Sequence, residues 1–145
     1  PAFFAVLDRS IQLAKIGSVI DSKSQNQVVS IGLDYFETML LPGVSAKTTL
    51  ISFREEKLDN GHNHYLTEEE IEERIYASNA IRSLDNDDMT SIERCKYINE
   101  YEVKFVIANI KDANLYMSLV QKCGITIEQI FQTEDKALLQ IQLSP

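Results

Sequence analysis

The two histidines of the chain, His62 and His64, stand two residues apart in the stretch GHNHYLTEEEIEER. A His-x-His pair on a strand directs both imidazoles to one face, where a third ligand could complete a zinc site. Asp59, Tyr65 and Glu68 are near enough in sequence to supply that ligand. The stretch LDNGHNHY also has the Asn, Asp and Gly content of a turn, which favours exposed loop histidines. A metal-dependent enzyme that uses His62 and His64 is therefore the less favoured hypothesis, and we expect no cofactor.

A second candidate lies in VVSIGLDYFET, where an apolar run ends in a turn. Only Gly32 matches the three glycines of a dinucleotide-binding turn, and it is better explained by crowding where a strand turns into a helix. Ligands of parallel α/β sheets bind beyond the carboxyl ends of the strands. Gly32, Asp34 and Asn109 mark those ends and are the predicted ligand-binding residues of a stand-alone module for a small molecule.

Nucleophilic catalysis needs a serine or cysteine within reach of a base that a carboxylate orients. The chain has no G-x-S-x-G elbow, and neither Cys95 nor Cys123 follows a strand directly. Two small apolar residues on inward helix faces are the favoured interpretation of these cysteines, and one disulfide between them remains arithmetically possible. We therefore predict no catalytic residue, and the cysteines leave the compartment open.

The hydrophobic pattern predicts ten elements in the order α-β-α-β-α-α-β-α-β-β. Asp34, with Glu37 three residues on, caps the second helix, Thr67 with Glu70 caps the third, and Asp112 caps the last. The first helix is expected to end near residue 17, and the second at residues 42–43. The first helix is expected to bury an apolar stripe near helical spacing, formed by Phe3, Val6, Leu7, Ile11, Ala14 and Ile16. The fourth helix is expected to turn Ile92, Cys95, Tyr97 and Ile98 inward.

Alternation of strands and helices predicts a three-layer α/β fold with a mostly parallel, Rossmann-like sheet. A C-terminal antiparallel hairpin, with its turn near residues 135–136, is expected at one edge of that sheet. Neither a repeat nor a long linker divides the chain, so residues 1–145 are expected to form a single α/β domain. Its parts are an N-terminal helix and loop over residues 1–24 and a sheet-containing core over residues 25–145.

The charge balance excludes two classes of partner. With 14 Lys and Arg against 22 Asp and Glu, the formal net charge is −8, and the basic residues are scattered singly. Nucleic acids and anionic lipid surfaces both require clustered basic residues, so neither is an expected partner. No run approaches the roughly 18 apolar residues of a membrane span. The start at PAFFAVL without Met favours a piece of a longer polypeptide, with removal of an initiator Met as the alternative.

The order of segments resembles that of a known class of domains. The stretch NQVVSIGLDYFETMLLPGVSAKTTLISFREE, then GHNHYL, IERCKYINEYEVKFVIAN and the closing IEQIFQTEDKALLQIQL, is similar to the soluble C-terminal domains of bacterial polytopic membrane proteins of the GT-C glycosyltransferase class. The resemblance covers about residues 25–143. The residues that carry it are Val28, Val29, Asp34, Thr38, Pro42, Gly43, the strand at 48–53, Tyr101, Val103, Phe105, Val106 and Ile107.

The resemblance implies a non-catalytic accessory domain on the extracytoplasmic face of the bacterial cell membrane. Its partner would be the membrane-embedded remainder of the parent chain, with a glycan or a lipid-linked sugar as a further partner. In that class the donor is a polyprenyl-phosphate sugar, and the catalytic acidic residues lie in loops of the membrane portion. Residues 1–24 would then form the exit from a membrane span.

Overall fold

The computed structural model describes residues 2–46, 48–50 and 67–143 of the chain, and within them the predicted order of ten elements is confirmed. The helices are α1 (Ala2–Lys23), α2 (Tyr35–Val44), α3 (Glu68–Arg82), α4 (Asp88–Glu100) and α5 (Ile110–Gln121). The strands are β1 (Val28–Gly32), β2 (Thr48–Leu50), β3 (Val103–Asn109), β4 (Thr126–Gln132) and β5 (Lys136–Gln142).

The five strands form one mixed sheet in the order β2-β1-β3-β5-β4. The pairings of β1 with β2 and with β3 are parallel, whereas β5 pairs antiparallel with both β3 and β4. The expected antiparallel hairpin at one edge is thus confirmed. The sheet is less parallel than expected because the second strand of the hairpin, β5, lies directly against β3.

From Phe105 to Ala108, the side chains of β3 alternate between two apolar clusters, as the period of a strand requires. Phe105 and Ile107 belong to the cluster that contains residues of α1 and α2. Val106 and Ala108 belong to the other cluster, with residues of α3, α4 and α5. All four side chains are almost completely buried, and burial of a large aliphatic or aromatic side chain contributes about 1.5–3 kcal/mol. The protein is therefore a mixed α/β structure with apolar packing on each side of its central strand.

The buried face of α1 differs from the predicted stripe. Leu13, which lies off that stripe, is buried together with Ile16 and Ile20. The side chains of Leu7 and Ile11 are 46% and 48% exposed. This helix carries apolar residues on two faces, so the apolar spacing alone did not identify the face that packs against the sheet.

Two predicted helix ends were wrong. Helix α1 continues past Gly17 to Lys23. Gly17 allows a close packing contact, since a Cβ atom there would lie 2.4 Å from the carbonyl oxygen of Val44. Helix α2 continues through residues 42–43 to Val44, and the Ser45 N–H donates to the Leu41 carbonyl at 3.0 Å. The glycine and the proline at these positions are therefore helical residues rather than stops.

The predicted caps were correct for two helices and wrong for the last one. The side chains of Asp34 and Thr67 accept hydrogen bonds from the Phe36 and Glu70 N–H groups, which satisfies donors that a helix start leaves free. Helix α5 begins at Ile110, directly after β3, so that Asn109 rather than Asp112 occupies the cap position.

Cys95 of α4 and Cys123 beyond the end of α5 form a disulfide, with a Cα–Cα distance of 5.4 Å. The favoured interpretation of two unpaired apolar cysteines was therefore wrong. On the same helix, Tyr97 and Ile98 are buried as predicted, whereas Ile92 is 68% exposed. The disulfide ties together two of the helices on one side of β3.

Candidate functional site

The turn from β1 into α2 is built around Gly32. A Cβ atom at this position would lie 2.5 Å from the Cβ of Glu37, so only glycine lets the first turn of α2 lie this close to the strand end. The Asp34 carboxylate accepts from the Phe36 N–H at 3.2 Å, and the Thr38 hydroxyl donates to the Gly32 carbonyl at 3.2 Å. These contacts turn the Glu37 side chain inward, where it is only 2% exposed.

The antiparallel pairing of β3 and β5 brings a second group of side chains to the same end of the sheet. Asn109, the last residue of β3, is the partner of Lys136, the first residue of β5. Just beyond the pair, the Ile110 N–H donates to the Asp135 carbonyl at 2.9 Å. The carboxyl end of β3 and the start of β5 therefore lie at the same end of the sheet.

The ammonium group of Lys136 joins these two parts of the site. Its Nζ lies 2.5 Å from Glu37 Oε1, 2.6 Å from Asn109 Oδ1 and 3.4 Å from Asp34 Oδ2. An ammonium has three N–H donors, and here each has an acceptor. Because the Lys136 side chain is only 7% exposed, this is a buried charge held by two carboxyl groups and an amide.

Arg9 brings α1 to the same place. Its guanidinium Nη2 lies 3.7 Å from Asp34 Oδ1 and 3.8 Å from Glu37 Oε1, and the group stacks 3.9 Å above the centroid of the Phe36 ring. The Arg9 side chain is 39% exposed, so it closes the site on the solvent side. Arg9, Asp34, Glu37, Asn109 and Lys136 are called the charge network below.

Gln12 fixes the β4–β5 turn against α1. Its amide Nε2 donates to Asp8 Oδ2 at 2.8 Å and to Asp135 Oδ2 at 3.1 Å. Its amide oxygen accepts from the Thr133 hydroxyl at 2.6 Å and from the Asp135 N–H at 3.0 Å. The side chain is nearly fully buried, and the three bonds to Thr133 and Asp135 hold residues 133–135 beside the charge network.

An open cleft of about 670 Å³ lies over the charge network. Its lining carries three positive and three negative side chains together with an amide and an aliphatic chain: Arg9, Lys111, Lys136, Asp34, Glu134, Asp135, Asn109 and Ile110. Two of the predicted ligand-binding residues, Asp34 and Asn109, thus meet in one cleft. Gly32 is outside its lining and acts through the position of Glu37. Equal numbers of cations and anions suit a small polar ligand of low net charge.

The two carboxyl groups of the network have opposite pKa shifts. Burial and the neighbouring Asp34 carboxylate raise the pKa of Glu37 from its ordinary 4.5 to about 7, although Lys136 opposes the change. Burial alone would raise the pKa of Asp34 too, but the interaction with Glu37 and the charges of Lys136 and Arg9 outweigh it and lower that pKa. Different surroundings thus move the pKa values of two neighbouring carboxyl groups apart, so that Glu37 holds its proton to a higher pH than Asp34 does.

Three members of the network were missed by sequence reasoning. Glu37 was assigned only to helix capping, Lys136 to a hairpin turn, and Arg9 to no function. One signal was available: in KALLQIQ a lysine opens a strand that is otherwise largely apolar. The partner of that lysine depends on the β3–β5 register, which the local sequence does not reveal.

The histidine hypothesis stays untested, because His62 and His64 lie outside the described residues. Within residues 2–46, 48–50 and 67–143, no group of three or more His, Cys, Asp or Glu side chains is arranged to hold a metal ion. Of the helices in the same ranges, none has the length and apolar character needed to cross a bilayer.

Comparisons of the chain with protein-family models, curated proteins and solved structures gave no match.

Proposed function

We propose that the chain is a non-catalytic accessory domain of a larger membrane glycosyltransferase-like protein, and that it binds a small polar ligand in the cleft over the charge network. The observation that supports a non-catalytic role is that the Lys136 ammonium group is fully engaged by neighbouring acceptors. All three of its donors have acceptors within 3.4 Å, in surroundings shielded from water. A lysine that acts as nucleophile or base needs a free lone pair, and this arrangement favours the protonated amine. Lys136 therefore organises the cleft instead of reacting in it.

The disulfide supports an extracytoplasmic position. Structural disulfides persist in oxidising compartments and are rare in the reducing cytosol. The Cys95–Cys123 bond is therefore in keeping with a domain on the outer face of a bacterial cell membrane. In this proposal the membrane-embedded remainder of the parent chain is the partner and transfers a sugar from a polyprenyl-phosphate donor, while a glycan or the lipid-linked sugar is what the cleft contacts.

We further propose that the domain is a three-layer, Rossmann-like structure, with helices on both faces of the sheet. Two observations support this classification. The strands β2, β1 and β3 run parallel, and the side chains of β3 alternate between one cluster with α1 and α2 and another with α3, α4 and α5. The cleft then occupies the carboxyl ends of parallel strands, where such sheets bind their ligands.

A stand-alone binding module is the alternative, and the cleft itself favours it. The lining offers both donors and acceptors around Asp34 and Asn109, which suits a small ligand without any parent chain. The reading frame upstream of residue 1 separates the two proposals. Many membrane spans there agree with the accessory domain, and a start codon immediately before residue 1 would leave the stand-alone module.

An activity assay tests the non-catalytic part. Purified protein is mixed with a polyprenyl-phosphate sugar and with a panel of glycan acceptors, and free sugar and product are followed by mass spectrometry. We expect no turnover by the isolated chain. Turnover that is lost in Asp34→Asn would show catalysis in the cleft and refute the proposal.

A thermal-shift screen with small polar molecules tests binding. A ligand at one hundred times its dissociation constant stabilises the folded state by about 2.7 kcal/mol, which raises the melting temperature. The effect should disappear in Asp34→Asn. The matched control is Lys23→Gln, at a separate surface depression around residues 23–29, which should keep the full shift. A ligand whose effect survives Asp34→Asn and is lost in Lys23→Gln would place binding elsewhere.

A further inference from the structure

One oxygen of the buried Glu37 carboxyl group has no partner. Oε1 accepts from Lys136 at 2.5 Å, whereas Oε2 is shielded from water and makes no hydrogen bond. Buried polar atoms in proteins are nearly always paired, because a lone one keeps its full cost of desolvation. A proton on Oε2 changes this atom from an acceptor into a donor. The carboxylate that faces the same two cations as Glu37, and that can accept this proton, is Asp34: its Oδ2 lies 3.4 Å from Lys136 Nζ and its Oδ1 lies 3.7 Å from Arg9 Nη2.

We propose that Asp34 and Glu37 share one proton behind the wall of the cleft, and that loss or gain of this proton changes the charge that the cleft presents to a ligand. The regulatory part of this inference rests on ligand binding in the cleft. The sharing of the proton does not depend on any ligand or on a parent chain.

Every element packed around Glu37 contributes a group that bears on its charge. Helix α1 contributes the cation Arg9, the turn before α2 contributes the anion Asp34, and β5 contributes the cation Lys136. The end of β3 contributes the neutral amide of Asn109, which accepts from Lys136. With the proton present, two positive charges therefore face one negative charge; without it, two face two.

This change of one unit has a direct effect on ligand choice. The protonated network carries a net positive charge and favours an anionic group in the cleft, whereas the deprotonated network favours it less. By linkage, an anionic ligand binds with uptake of a proton and a cationic ligand with release of one. Of the two carboxyl groups, Asp34 is the one that a ligand can contact, since its side chain is 42% exposed and lines the cleft. The change in charge therefore reaches the ligand through Asp34.

Carboxyl-carbon NMR of protein labelled with ¹³C at Asp and Glu tests the shared proton directly. We expect the Glu37 carboxyl to titrate with a pKa of about 7. In the wild-type protein the Asp34 carboxyl signal should show a second inflection at the same pH, because it is the acceptor of the Glu37 proton. A Glu37 carboxyl that titrates at its ordinary 4.5, or an Asp34 signal without that inflection, would overturn the proposal.

The variant Asp34→Asn separates proton sharing from burial. Asparagine is also a good N-cap, so α2 should still begin normally. Removal of the acceptor and of its charge should move the Glu37 midpoint down towards 4.5. The control Glu134→Gln removes an exposed carboxylate of the same cleft and should leave the Glu37 midpoint where it is. A midpoint that is equal in Asp34→Asn and wild type would assign the shift to burial alone and refute the shared proton. Neither outcome depends on whether the cleft binds a ligand.

Discussion

Lys136 Nζ lies 2.5 Å from Glu37 Oε1, and both side chains are almost completely shielded from water. The two residues are 99 positions apart in the sequence, and the contact joins the first turn of α2 to the start of β5. A pair of this kind holds its two elements in one arrangement, because separation of the partners would leave a charge without compensation in the interior.

Substitution of Lys136 by methionine should therefore destabilise the protein strongly. Removal of one partner of a buried ion pair costs about 3–5 kcal/mol when the other partner stays charged. Glu37 can become neutral by taking up a proton, so the loss should be larger at pH 8 than at pH 5.5. Urea denaturation at the two pH values measures it.

The double variant Lys136→Met, Glu37→Leu serves as the control for this prediction. It removes both charges, and its stability should recover part of the loss. Equal losses for Lys136→Met at the two pH values, with no recovery in the double variant, would show that the ion pair is not what holds these elements together.

The stability of the wild-type protein should depend on pH in a specific direction. Glu37 has a pKa of about 7 in the folded protein against 4.5 in the unfolded chain, so the folded state binds this proton more tightly. The stability it contributes is fully present below pH 4.5 and is lost as the pH rises through 7, by on the order of 2–3 kcal/mol. Asp34 has the opposite sign, because its lowered pKa contributes stability above pH 3.8 that is lost on further acidification.

The variant Glu37→Gln checks the origin of this pH profile. An amide of nearly the same shape cannot titrate, so the decline between pH 4.5 and 7 should become shallower than in the wild type. Chemical denaturation at intervals of half a pH unit measures both profiles. Parallel profiles for the two proteins would assign the decline to other groups.

Gly32→Ala should disturb the charge network without adding or removing a charge. The new methyl group would lie 2.5 Å from the Cβ of Glu37, and a forced shift in a packed region typically costs about 1–3 kcal/mol. Gly43→Ala is the matched control, since nothing lies within 4 Å of a Cβ there and the residue is in helix α2. Alanine is the better helix former by about 1 kcal/mol, so the control should be neutral or slightly stabilised. Equal melting temperatures for the two variants would contradict the close contact.

Reduction of the disulfide should lower the stability measurably. Cys95 and Cys123 are 28 residues apart, and closing a loop of that size in the unfolded chain is worth about 3.5 kcal/mol. Melting with and without dithiothreitol measures the effect, and Cys95→Ser, Cys123→Ser should melt like the reduced protein and not respond to the reductant. A wild-type protein whose melting is unaffected by full reduction would contradict a stabilising bond.

Local sequence patterns were sufficient for the order of the elements and insufficient for several of their ends. Strand β3 was recognised because VKFVIAN is apolar on both faces, as a central strand requires. Glycine and proline usually end helices, so the local sequence predicts helix ends at Gly17 and at residues 42–43. Gly17 instead lets α1 pack closely against Val44, a tertiary contact that no local rule contains.

The candidate site was predictable to the extent that it depends on sheet topology. Asp34 follows β1 and Asn109 ends the neighbouring parallel strand β3, and that alone brings them to the same end of the sheet. Lys136 arrives there from the opposite direction, through antiparallel pairing with β3, and Arg9 arrives through the packing of α1. Lys136 is 102 positions from Asp34 in the sequence, and Arg9 is 25 positions from it. Their arrival at the site therefore follows from the assembled fold and not from sequence spacing.

The central claim is that the cleft over the charge network is where this domain binds its ligand. Amide chemical-shift mapping with hits from the thermal-shift screen tests it most directly. We expect the shifted amides to cluster at residues 109–111 and 134–136, and no ligand to be chemically changed during the titration. Shifts that cluster away from these residues, for example at the depression around residues 23–29, or conversion of the ligand into a product, would contradict it.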